Sequence, residues 1–340
     1  MRIALMGVGS LGTIIGALVA KNGGEMVLID ANKEHVDALN KNGATVTGKM
    51  NLNVPVKAIT PEEMTGKYDL VFYLVKQTYN DVALKQLLPY LAEDGFVCTL
   101  QNGVPEDAVA EVVGKERTVG GTVGWGATWI GPGISMLTSE PDKMTFDIGE
   151  IDGKVTDRIK KAKEVLDLVG KAEIVTNLMG YRWTKLLVNA TFSGMSVALG
   201  CTYGDILDNE KALKCAQHIA DETIKVAHAQ NIKIESLQGH NLEILEFNNK
   251  VEMGRTTPYY SAIFGPHRGI MASMLQDLEK GRRCEIDAIN GIVSKKGKET
   301  GVPTPINDKV VEIVKNVENG KMSTVSENLD LFQLPEVPEI

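Results

Sequence analysis

A glycine-rich run near the N-terminus restricts the fold of this chain more than any other feature. It directly follows the apolar segment from Ile3 to Met6, which has the length of a buried strand, and it opens a helical pattern through Ala17 to Ala20. Glycines spaced as G-x-G-x-x-G allow a tight turn, close approach of a ligand to the backbone, and close helix-to-strand packing. The run is Gly7-Val8-Gly9-Ser10-Leu11-Gly12.

The glycine run also predicts a ligand. Backbone N–H groups at a helix N-terminus bind anions, so a pyrophosphate is expected where this helix begins, with an ordinary structural turn as the alternative. A second strand-like segment, Met26 to Ile29, ends at Asp30, where a carboxylate accepts hydrogen bonds from both ribose hydroxyls and repels a 2'-phosphate. We therefore predict a nicotinamide dinucleotide and favour NADH, with NADPH as the alternative. The basic residue Lys33 is expected to be solvated surface.

Apolar runs of strand length alternate with helical patterns through the first half of the chain. Residues 70–75 and 96–100 are typical of buried strands, and a helical stretch from Asp81 to Leu91 separates them. Repeated strand, helix and strand predict a doubly wound parallel sheet with helices on both faces. Residues 120–149, rich in glycine and threonine, predict antiparallel strands and turns. A helix over 155–169 and a short apolar run at 172–175 follow.

Beyond Asn177 the pattern is helical, and no strand alternation returns. A chain of 340 residues with 43% hydrophobic content is long enough for two domains with separate cores. We predict an α/β protein with a Rossmann-type dinucleotide domain over 1–177, an all-helical substrate and dimerisation domain over 178–330, and a loose tail over 331–340. The helices predicted in the second half cover 181–199, 209–230, 237–251, 270–280 and 286–300.

Charge and composition argue against several function classes. Asp plus Glu number 44 against 36 Lys plus Arg, so the net charge of -8 provides no attraction to nucleic acid or an anionic membrane. The apolar run at the N-terminus is too short for a secretory signal or a membrane span. The four cysteines and five histidines are scattered, so we expect reduced thiols, no metal site and a cytoplasmic location. His218 with Glu222 is expected to be a polar helix face.

Polar residues follow two of the predicted strands at the point where each strand ends. Lys76 and Gln77 come after one strand, and Gln101-Asn102-Gly103 come after another. In an open α/β sheet the ligand crevice lies at the carboxyl ends of the strands, so these residues are candidates for the site. Capping of the loops is the alternative.

A lysine lies inside an otherwise apolar helical segment of the second half. Lys185, Asn189 and Ser193 recur every four residues and so share one helix face. The apolar residues around them indicate burial, and a buried lysine needs a partner or a function. A solvated polar face is the alternative. The segment 273–287 offers Ser273 and Glu285 at two helical positions separated by a turn, and alone it would pass for a surface helix.

Together these residues resemble the ketopantoate reductases (2-dehydropantoate 2-reductases). The resemblance covers nearly the whole chain, from the glycine run through Lys76 and Gln101-Asn102-Gly103 to Lys185 and the segment 273–287. It implies a Rossmann domain joined to a helical domain, with substrate bound in the cleft between them. The implied reaction is reduction of 2-dehydropantoate to (R)-pantoate on the route to pantothenate and coenzyme A.

The resemblance also implies roles for individual residues. Lys185 matches the general acid that protonates the ketone oxygen, because its charge polarises the carbonyl and stabilises a developing alkoxide. Glu285 matches the acidic residue near the substrate hydroxyl and the lysine. The residues implied in substrate binding are Asn189, Ser193, Ser273 and Asn102. Those implied in dinucleotide binding are Gly7 to Gly12, Asp30, Lys76 and Asn102.

Two positions depart from the family pattern. Ser193 stands where many members have a second asparagine, which alters the predicted substrate pocket. Asp30 replaces the neutral or basic residue that NADPH-using members tend to carry. An NADH-dependent D-2-hydroxyacid dehydrogenase acting on other branched 2-keto acids therefore remains an alternative. A non-catalytic dinucleotide-responsive binding protein is a further alternative, against which the presence of Lys185 and Glu285 argues. The apolar stripes of the helical half favour a homodimer.

Overall fold

The structure is a computed structural model that describes residues 1–340, and they form two compact units. The first comprises residues 1–101 and 105–178, and the second comprises residues 102–104 and 179–340. The predicted fold class, an α/β part followed by an all-helical part, is confirmed. The predicted domain limits at 177 and 330 stay a prediction.

The N-terminal unit contains an eight-stranded sheet. Six strands run parallel in the order β5-β2-β1-β6-β7-β8, β11 pairs antiparallel with β8, and β12 pairs parallel with β11. The order reverses between β1 and β6, which is where ligands bind in sheets of this topology. The strands are β1 (Ile3–Met6), β2 (Val27–Ile29), β5 (Lys57–Ile59), β6 (Tyr68–Tyr73), β7 (Leu91–Thr99), β8 (Thr118–Val123), β11 (Thr145–Glu150) and β12 (Lys171–Ile174).

Helices and a second, smaller sheet complete this unit. The small sheet has the order β4-β3-β10-β9, and β10 pairs parallel with β3 and antiparallel with β9. Antiparallel pairing within 120–149 was expected, but the separate sheet was not. Its strands are β3 (Ala44–Gly48), β4 (Leu52–Val54), β9 (Ala127–Gly131) and β10 (Ile134–Leu137). The helices are α1 (Ser10–Lys21), α2 (Lys33–Asn42), α3 (Asn80–Leu87), α4 (Glu106–Val113) and α5 (Asp157–Leu166).

Both faces of the large sheet are buried. Side chains alternate across a strand, and successive residues of β6 contribute to two different cores. Leu70 and Phe72 pack in one core, while Val71 and Tyr73 pack in the other. Parallel strands covered on both faces read as continuous apolar runs, which is why the sequence pattern located β1, β6 and β7.

The C-terminal unit is helical around α9, most of whose side chains are buried. The side chain of Asn209 accepts a hydrogen bond from Ala212 N at 3.0 Å and begins this helix where the sequence predicts it. The helices are α6 (Leu178–Val188), α7 (Gly194–Leu199), α8 (Tyr203–Asp208), α9 (Glu210–Ala229), α10 (Lys250–Phe264), α11 (Ser273–Glu279), α12 (Asn290–Thr300) and α13 (Pro305–Glu318).

Two expectations about the C-terminal unit were wrong, and one helix was not predicted. Residues 237–249 form no α-helix, and the helix of this region is α10, which contains Pro258. Its weak amphipathic pattern and internal proline obscured it. The sequence pattern also failed to show α13. The tail 331–340 is not loose, because Phe332 is buried in the helical core and Lys250 N donates a hydrogen bond of 2.8 Å to the Pro338 carbonyl.

None of the helices combines the length and the apolar character that a membrane span requires. No group of three or more His, Cys, Asp or Glu side chains is arranged to hold a metal ion.

Candidate active site

The loop after β1 lies against the loop after β6, at the point where the strand order reverses. Gly7 has φ +95°, a conformation that residues with a Cβ rarely adopt. A Cβ there would also overlap the backbone nitrogen of Val75 and lie 2.6 Å from the carbonyl carbon of Leu74. The tight turn predicted for Gly7 therefore exists, and only glycine allows the two loops to approach this closely.

The other two glycines of the motif have different surroundings. A Cβ at Gly12 would lie 2.6 Å from the Gly7 carbonyl oxygen, so this glycine allows α1 to pack against the turn. A Cβ at Gly9 would meet no heavy atom within 4 Å. Packing within the unit therefore gives no reason for glycine at Gly9, whereas access of a ligand to the backbone does.

The N-terminus of α1 is suited to an anion. The first backbone bond of the helix is donated by Thr13 N to the Gly9 carbonyl at 3.0 Å, so earlier N–H groups have no partner within the helix. No side chain caps this end, and its first turn holds no acidic residue. Ser10 and Leu11 occupy that turn, and Val8 is buried directly before it. These features fit a pyrophosphate at this position.

Asp30 supports the glycine-rich loop directly. Val8 N donates a hydrogen bond of 2.7 Å to one carboxylate oxygen, and Asn32 N donates one of 2.8 Å to the other. The side chain remains partly exposed at the end of β2, so its oxygens keep acceptor capacity for ribose hydroxyls. Lys33 is exposed and pairs with Asp37 at 3.0 Å, as expected of a surface residue.

A buried histidine beneath the loop escaped sequence reasoning. His35 is fully buried, and its Nδ1 accepts a hydrogen bond of 2.8 Å from Gly133 N. Its Nε2 lies 3.4 Å from the Thr13 hydroxyl, and its ring contacts Trp129 edge-on at 4.5 Å. Burial lowers the pKa of His35, in keeping with a neutral ring that accepts at Nδ1. A lone histidine in an ordinary amphipathic pattern gives no signal of this role.

Side chains beyond β6 and β7 are joined to one another. The Gln101 amide donates to Asn80 Oδ1 at 2.8 Å and to the Val75 carbonyl, and Thr99 Oγ1 donates to Gln101 Oε1 at 3.0 Å. Lys76 lies between Val75 and Asn80, at the start of a short 3-10 turn. Gln101 therefore fixes the segment that carries Lys76, which is the loop-capping role for Gln101, while the ligand roles of Lys76 and Asn102 stay predictions. Asn102 belongs by its contacts to the C-terminal unit.

In the C-terminal unit, Lys185, Asn189 and Ser193 lie on one helical stretch, and all three are partly buried. The stretch is not a regular α-helix, since residues Asn189–Ser193 form a π-helical turn between α6 and α7. That Lys185, Asn189 and Ser193 share one face, as their four-residue spacing predicts, stays a prediction. The Ser193 hydroxyl lies 2.8 Å from the Tyr203 hydroxyl, a partner that the sequence does not indicate.

Two hydrogen bonds bring the segments of Ser273 and Glu285 against this stretch. Ala272 N donates to Ser196 Oγ at 3.2 Å, which places the start of α11 beside α7. Asn290 Nδ2 donates to the Ala190 carbonyl at 3.0 Å, which places the start of α12 beside the π-helical turn. Ser273 is exposed as the first residue of α11, whereas Glu285 is 9% exposed. Glu285 is therefore buried, although its segment alone would pass for a surface helix.

The candidate residues thus fall into two sets. The N-terminal unit holds the predicted dinucleotide residues Gly7 to Gly12, Asp30 and Lys76. The C-terminal unit holds Lys185, Asn189, Ser193, Ser273, Glu285 and Asn102. Their roles in binding and catalysis stay predictions.

Comparison with known families supports this assignment at the level of the fold and the enzyme class. The family model "Ketopantoate reductase PanE/ApbA" matches residues 3–153, and its C-terminal counterpart matches residues 177–318. The chain belongs to the ketopantoate reductase family. The predicted resemblance is thereby confirmed, and with it the prediction that the chain belongs to a family of oxidoreductases.

Curated relatives of this ketopantoate reductase family member extend over nearly its whole length. The 2-dehydropantoate 2-reductase of Lactococcus lactis is 30% identical, with 94% of this chain and 98% of the relative covered. The enzyme of the same name from Archaeoglobus fulgidus is 29% identical with the same coverage.

Solved structures share this fold. A D-mandelate dehydrogenase in a ternary structure with NADH and anilino(oxo)acetate is 25% identical, with a TM-score of 0.79 over 94% of this chain and 99% of that one. A PanE/ApbA family ketopantoate reductase from Ralstonia eutropha, 24% identical, superimposes with a TM-score of 0.80 over the same shares and supports the fold alone. Family and neighbours together support a nicotinamide dinucleotide as cofactor.

Proposed function

We propose that this chain is a 2-dehydropantoate 2-reductase, which reduces 2-dehydropantoate to (R)-pantoate for pantothenate and coenzyme A biosynthesis. The observation that carries the proposal is the match to relatives of that name over 94% of the chain. The two proposed catalytic residues, Lys185 and Glu285, are present, and Ser193 and Asp30 are the positions that depart from the family pattern. The substrate class is a small branched 2-keto acid.

The N-terminal unit holds the dinucleotide in this proposal. The N–H groups at the start of α1 bind the pyrophosphate, Gly9 leaves the backbone accessible, and Asp30 accepts hydrogen bonds from the ribose hydroxyls. Lys76 lines the same edge of the sheet. When bound, the dinucleotide supplies a hydride to the ketone carbon of the substrate.

The C-terminal unit supplies the proton and the substrate contacts. Lys185 donates a proton to the ketone oxygen and stabilises the negative charge that develops there, which is the role of a general acid. Glu285 is buried, and it interacts with the substrate hydroxyl and the lysine. The side chains proposed to orient the substrate are Asn189, Ser193, Ser273 and Asn102.

We also propose NADH as the preferred cofactor. A 2'-phosphate beside Asp30 would meet a carboxylate that already accepts two backbone N–H groups and cannot turn away without releasing them. Like charges at such a distance disfavour NADPH. The homodimer, the cytoplasmic location and the domain limits 1–177 and 178–330 are retained as proposals from the sequence.

A second candidate is an NADH-dependent D-2-hydroxyacid dehydrogenase. Two observations favour it: the similarity to a D-mandelate dehydrogenase solved with NADH, and Ser193 in place of a second asparagine. The Ser193 hydroxyl is engaged with Tyr203 at 2.8 Å, so this position offers the substrate less hydrogen-bonding capacity than an amide would.

Steady-state kinetics separate the two candidates. The purified chain is assayed with 2-dehydropantoate, phenylglyoxylate and 2-ketoisovalerate, each with NADH and with NADPH. We expect the highest kcat/KM with 2-dehydropantoate and NADH. A clear preference for phenylglyoxylate or 2-ketoisovalerate would instead establish the dehydrogenase, and equal or better turnover with NADPH would contradict the cofactor assignment.

A further inference from the structure

A π-helical turn interrupts the helix that carries the proposed catalytic lysine. Its residues Asn189–Ser193 lie between α6 and α7, with the two proposed substrate residues at its ends and three buried residues between them. A π turn spaces its hydrogen bonds differently from an α-helix and is frequently found at functional sites. Something outside the turn must therefore stabilise it in this one form.

One carbonyl of the turn has a partner from a distant helix. Asn290 Nδ2 donates to the Ala190 carbonyl at 3.0 Å, and the same nitrogen donates to Asn307 Oδ1 at 2.9 Å. Both asparagines are fully buried. Since both partners of this nitrogen are acceptors, the Asn290 amide has only one favourable orientation.

Asn307 is fixed in turn by a buried carboxylate. Glu222 accepts hydrogen bonds from Ile306 N at 3.0 Å, from Asn307 N at 3.0 Å and from Asn307 Nδ2 at 2.7 Å. It thereby caps the N-terminus of α13, because its two oxygens accept the N–H groups of Ile306 and Asn307, which have no partner within the helix. Because the Asn307 nitrogen faces the carboxylate, its oxygen is directed to Asn290. Asn307 Nδ2 thus donates to Glu222, and Asn290 Nδ2 donates both to Asn307 Oδ1 and to the Ala190 carbonyl.

The packing around Asn290 leaves it no freedom. A Cβ at Gly194, the first residue of α7, would overlap Asn290 Oδ1 and lie 2.7 Å from a Val310 methyl group. The Asn290 Oδ1 itself has no hydrogen-bond partner.

Asn290 also follows closely on the proposed catalytic carboxylate. Ile289 N and Ala288 N donate to the Glu285 carbonyl at 3.1 and 2.9 Å, so a tight turn joins Glu285 to the start of α12. The bond from Asn290 to Ala190 thus connects the segment of Glu285 with the segment of Asn189.

We propose that Glu222, Asn307 and Asn290 form a positioning relay that holds the π-helical turn, and through it Asn189 and Ser193, in register with Glu285 for substrate binding. The roles of those three site residues rest on the proposed function. The relay residues touch neither substrate nor dinucleotide, and each acts through the next.

The test compares Asn290→Asp with a matched control on the same helical stretch. Asn328 is also buried, and its Nδ2 also donates to a helix carbonyl, that of Ala198 in α7, at 2.8 Å. Asn328→Asp therefore removes the same kind of bond outside the relay. Both variants lower the melting temperature, but only Asn290→Asp raises the KM for 2-dehydropantoate, by about ten- to hundredfold, while the Kd for NADH stays within twofold.

Hydrogen exchange provides a readout that does not depend on the substrate. Without ligands, the amides of residues 190–194 exchange faster in Asn290→Asp than in Asn328→Asp. Asn307→Ala removes the partner of Asn290 but leaves the bond from Asn290 to Ala190 in place. We expect it to raise the exchange rate of the same amides by a smaller amount. This variant also provides the test if Asn290→Asp does not fold. Equal exchange and equal KM in the relay and control variants would overturn the proposal. If no 2-keto acid is turned over, the proposed function fails, and exchange alone decides whether the relay exists.

Discussion

The glycine-rich loop of the N-terminal unit and the π-helical turn of the C-terminal unit solve the same problem in different ways. Each is an irregular backbone segment that must present groups to a ligand. The loop is supported by Asp30, whose carboxylate binds Val8 only 22 residues away in sequence. The turn is supported by Asn290, which binds Ala190 across 100 residues, and by Glu222, which binds Asn307 across 85.

The two segments also differ in how much polar surface they bury. In the loop, the functional features are the absence of Cβ atoms and a partly exposed carboxylate, so little polar surface has to be buried. In the turn, three polar side chains are buried together, and such a network stabilises a structure only if its members are satisfied. We therefore expect substitutions in the loop to separate binding from stability, and substitutions near the turn to affect both.

The largest effect is expected from replacing Lys185, which tests whether catalysis depends on the C-terminal unit separately from dinucleotide binding. Lys185→Ala removes the proposed general acid, and we expect kcat to fall about 10²- to 10⁴-fold. The Kd for NADH, measured by fluorescence titration, should change less than twofold because the dinucleotide is assigned to the other unit. Unchanged turnover would remove Lys185 from the mechanism.

The next prediction compares two glycines of the motif, Gly7 and Gly9, whose substitution should affect stability differently. Gly7→Ala places a Cβ against the backbone at Val75 and Leu74 in a left-handed conformation, and should lower the free energy of unfolding by about 3 kcal/mol or more. Gly9→Ala meets open space, so its stability should stay within about 0.5 kcal/mol of the parent. Urea unfolding measures both values.

NADH titration of Gly9→Ala completes this comparison. The variant should bind NADH at least about tenfold more weakly, since the methyl group occupies space needed by the pyrophosphate. Parental affinity in Gly9→Ala would mean that the ligand does not approach the backbone there.

The same contrast explains what the sequence could predict. The sheet, its first strands and the glycine turn follow from local patterns, because a parallel strand buried on both faces and a G-x-G-x-x-G motif are both readable within a few residues. His35 could not be predicted, since its partner Gly133 lies 98 residues away. Nor could the relay, whose members Asn290 and Asn307 have no local pattern that distinguishes them from surface asparagines.

The helices of the C-terminal unit show where local patterns fail. The helix from Asn209 was predicted because it begins with a capping residue and carries a long amphipathic repeat. The π-helical turn was read as a regular helix, because its residues have ordinary helical composition and its form depends on contacts from α12.

Two ionisable side chains on α9 give the buried interior of the C-terminal unit a pH signature. Burial lowers the pKa of His218 from 6.5 to about 4 and raises that of Glu222 from 4.5 to about 7. The stability linked to His218 is present above pH 6.5 and lost as pH falls toward 4. The stability linked to Glu222 is present below pH 4.5 and lost as pH rises through 7. Each contributes at most about 3 kcal/mol to the free energy of unfolding. Between pH 4.5 and 6.5 the two contributions change in opposite directions.

Replacing one of these two side chains should reveal the pH dependence of stability that the other contributes. Relative to the parent, His218→Gln should become less stable as pH rises from 4.5 to 6.5, and Glu222→Gln should become more stable over the same interval. The free energy of unfolding in urea at pH 4.5, 5.5 and 6.5 measures both slopes. Parallel pH profiles in the two variants would show that these groups do not titrate in opposite directions.

The smallest expected effect concerns the carboxylate that supports the loop. Asp30→Asn keeps the size of the side chain and removes its charge, so the ratio of kcat/KM for NADH to that for NADPH should fall by about tenfold or more, equivalent to about 1.4 kcal/mol. Lys33→Ala is the matched control, because Lys33 is exposed and pairs with Asp37 on α2, and it should leave the ratio unchanged. A ratio that moves with Lys33 and not with Asp30 would show that cofactor choice depends on the surface of α2. A ratio that moves with Asp30 alone would show that one carboxylate both holds the loop and selects the ribose.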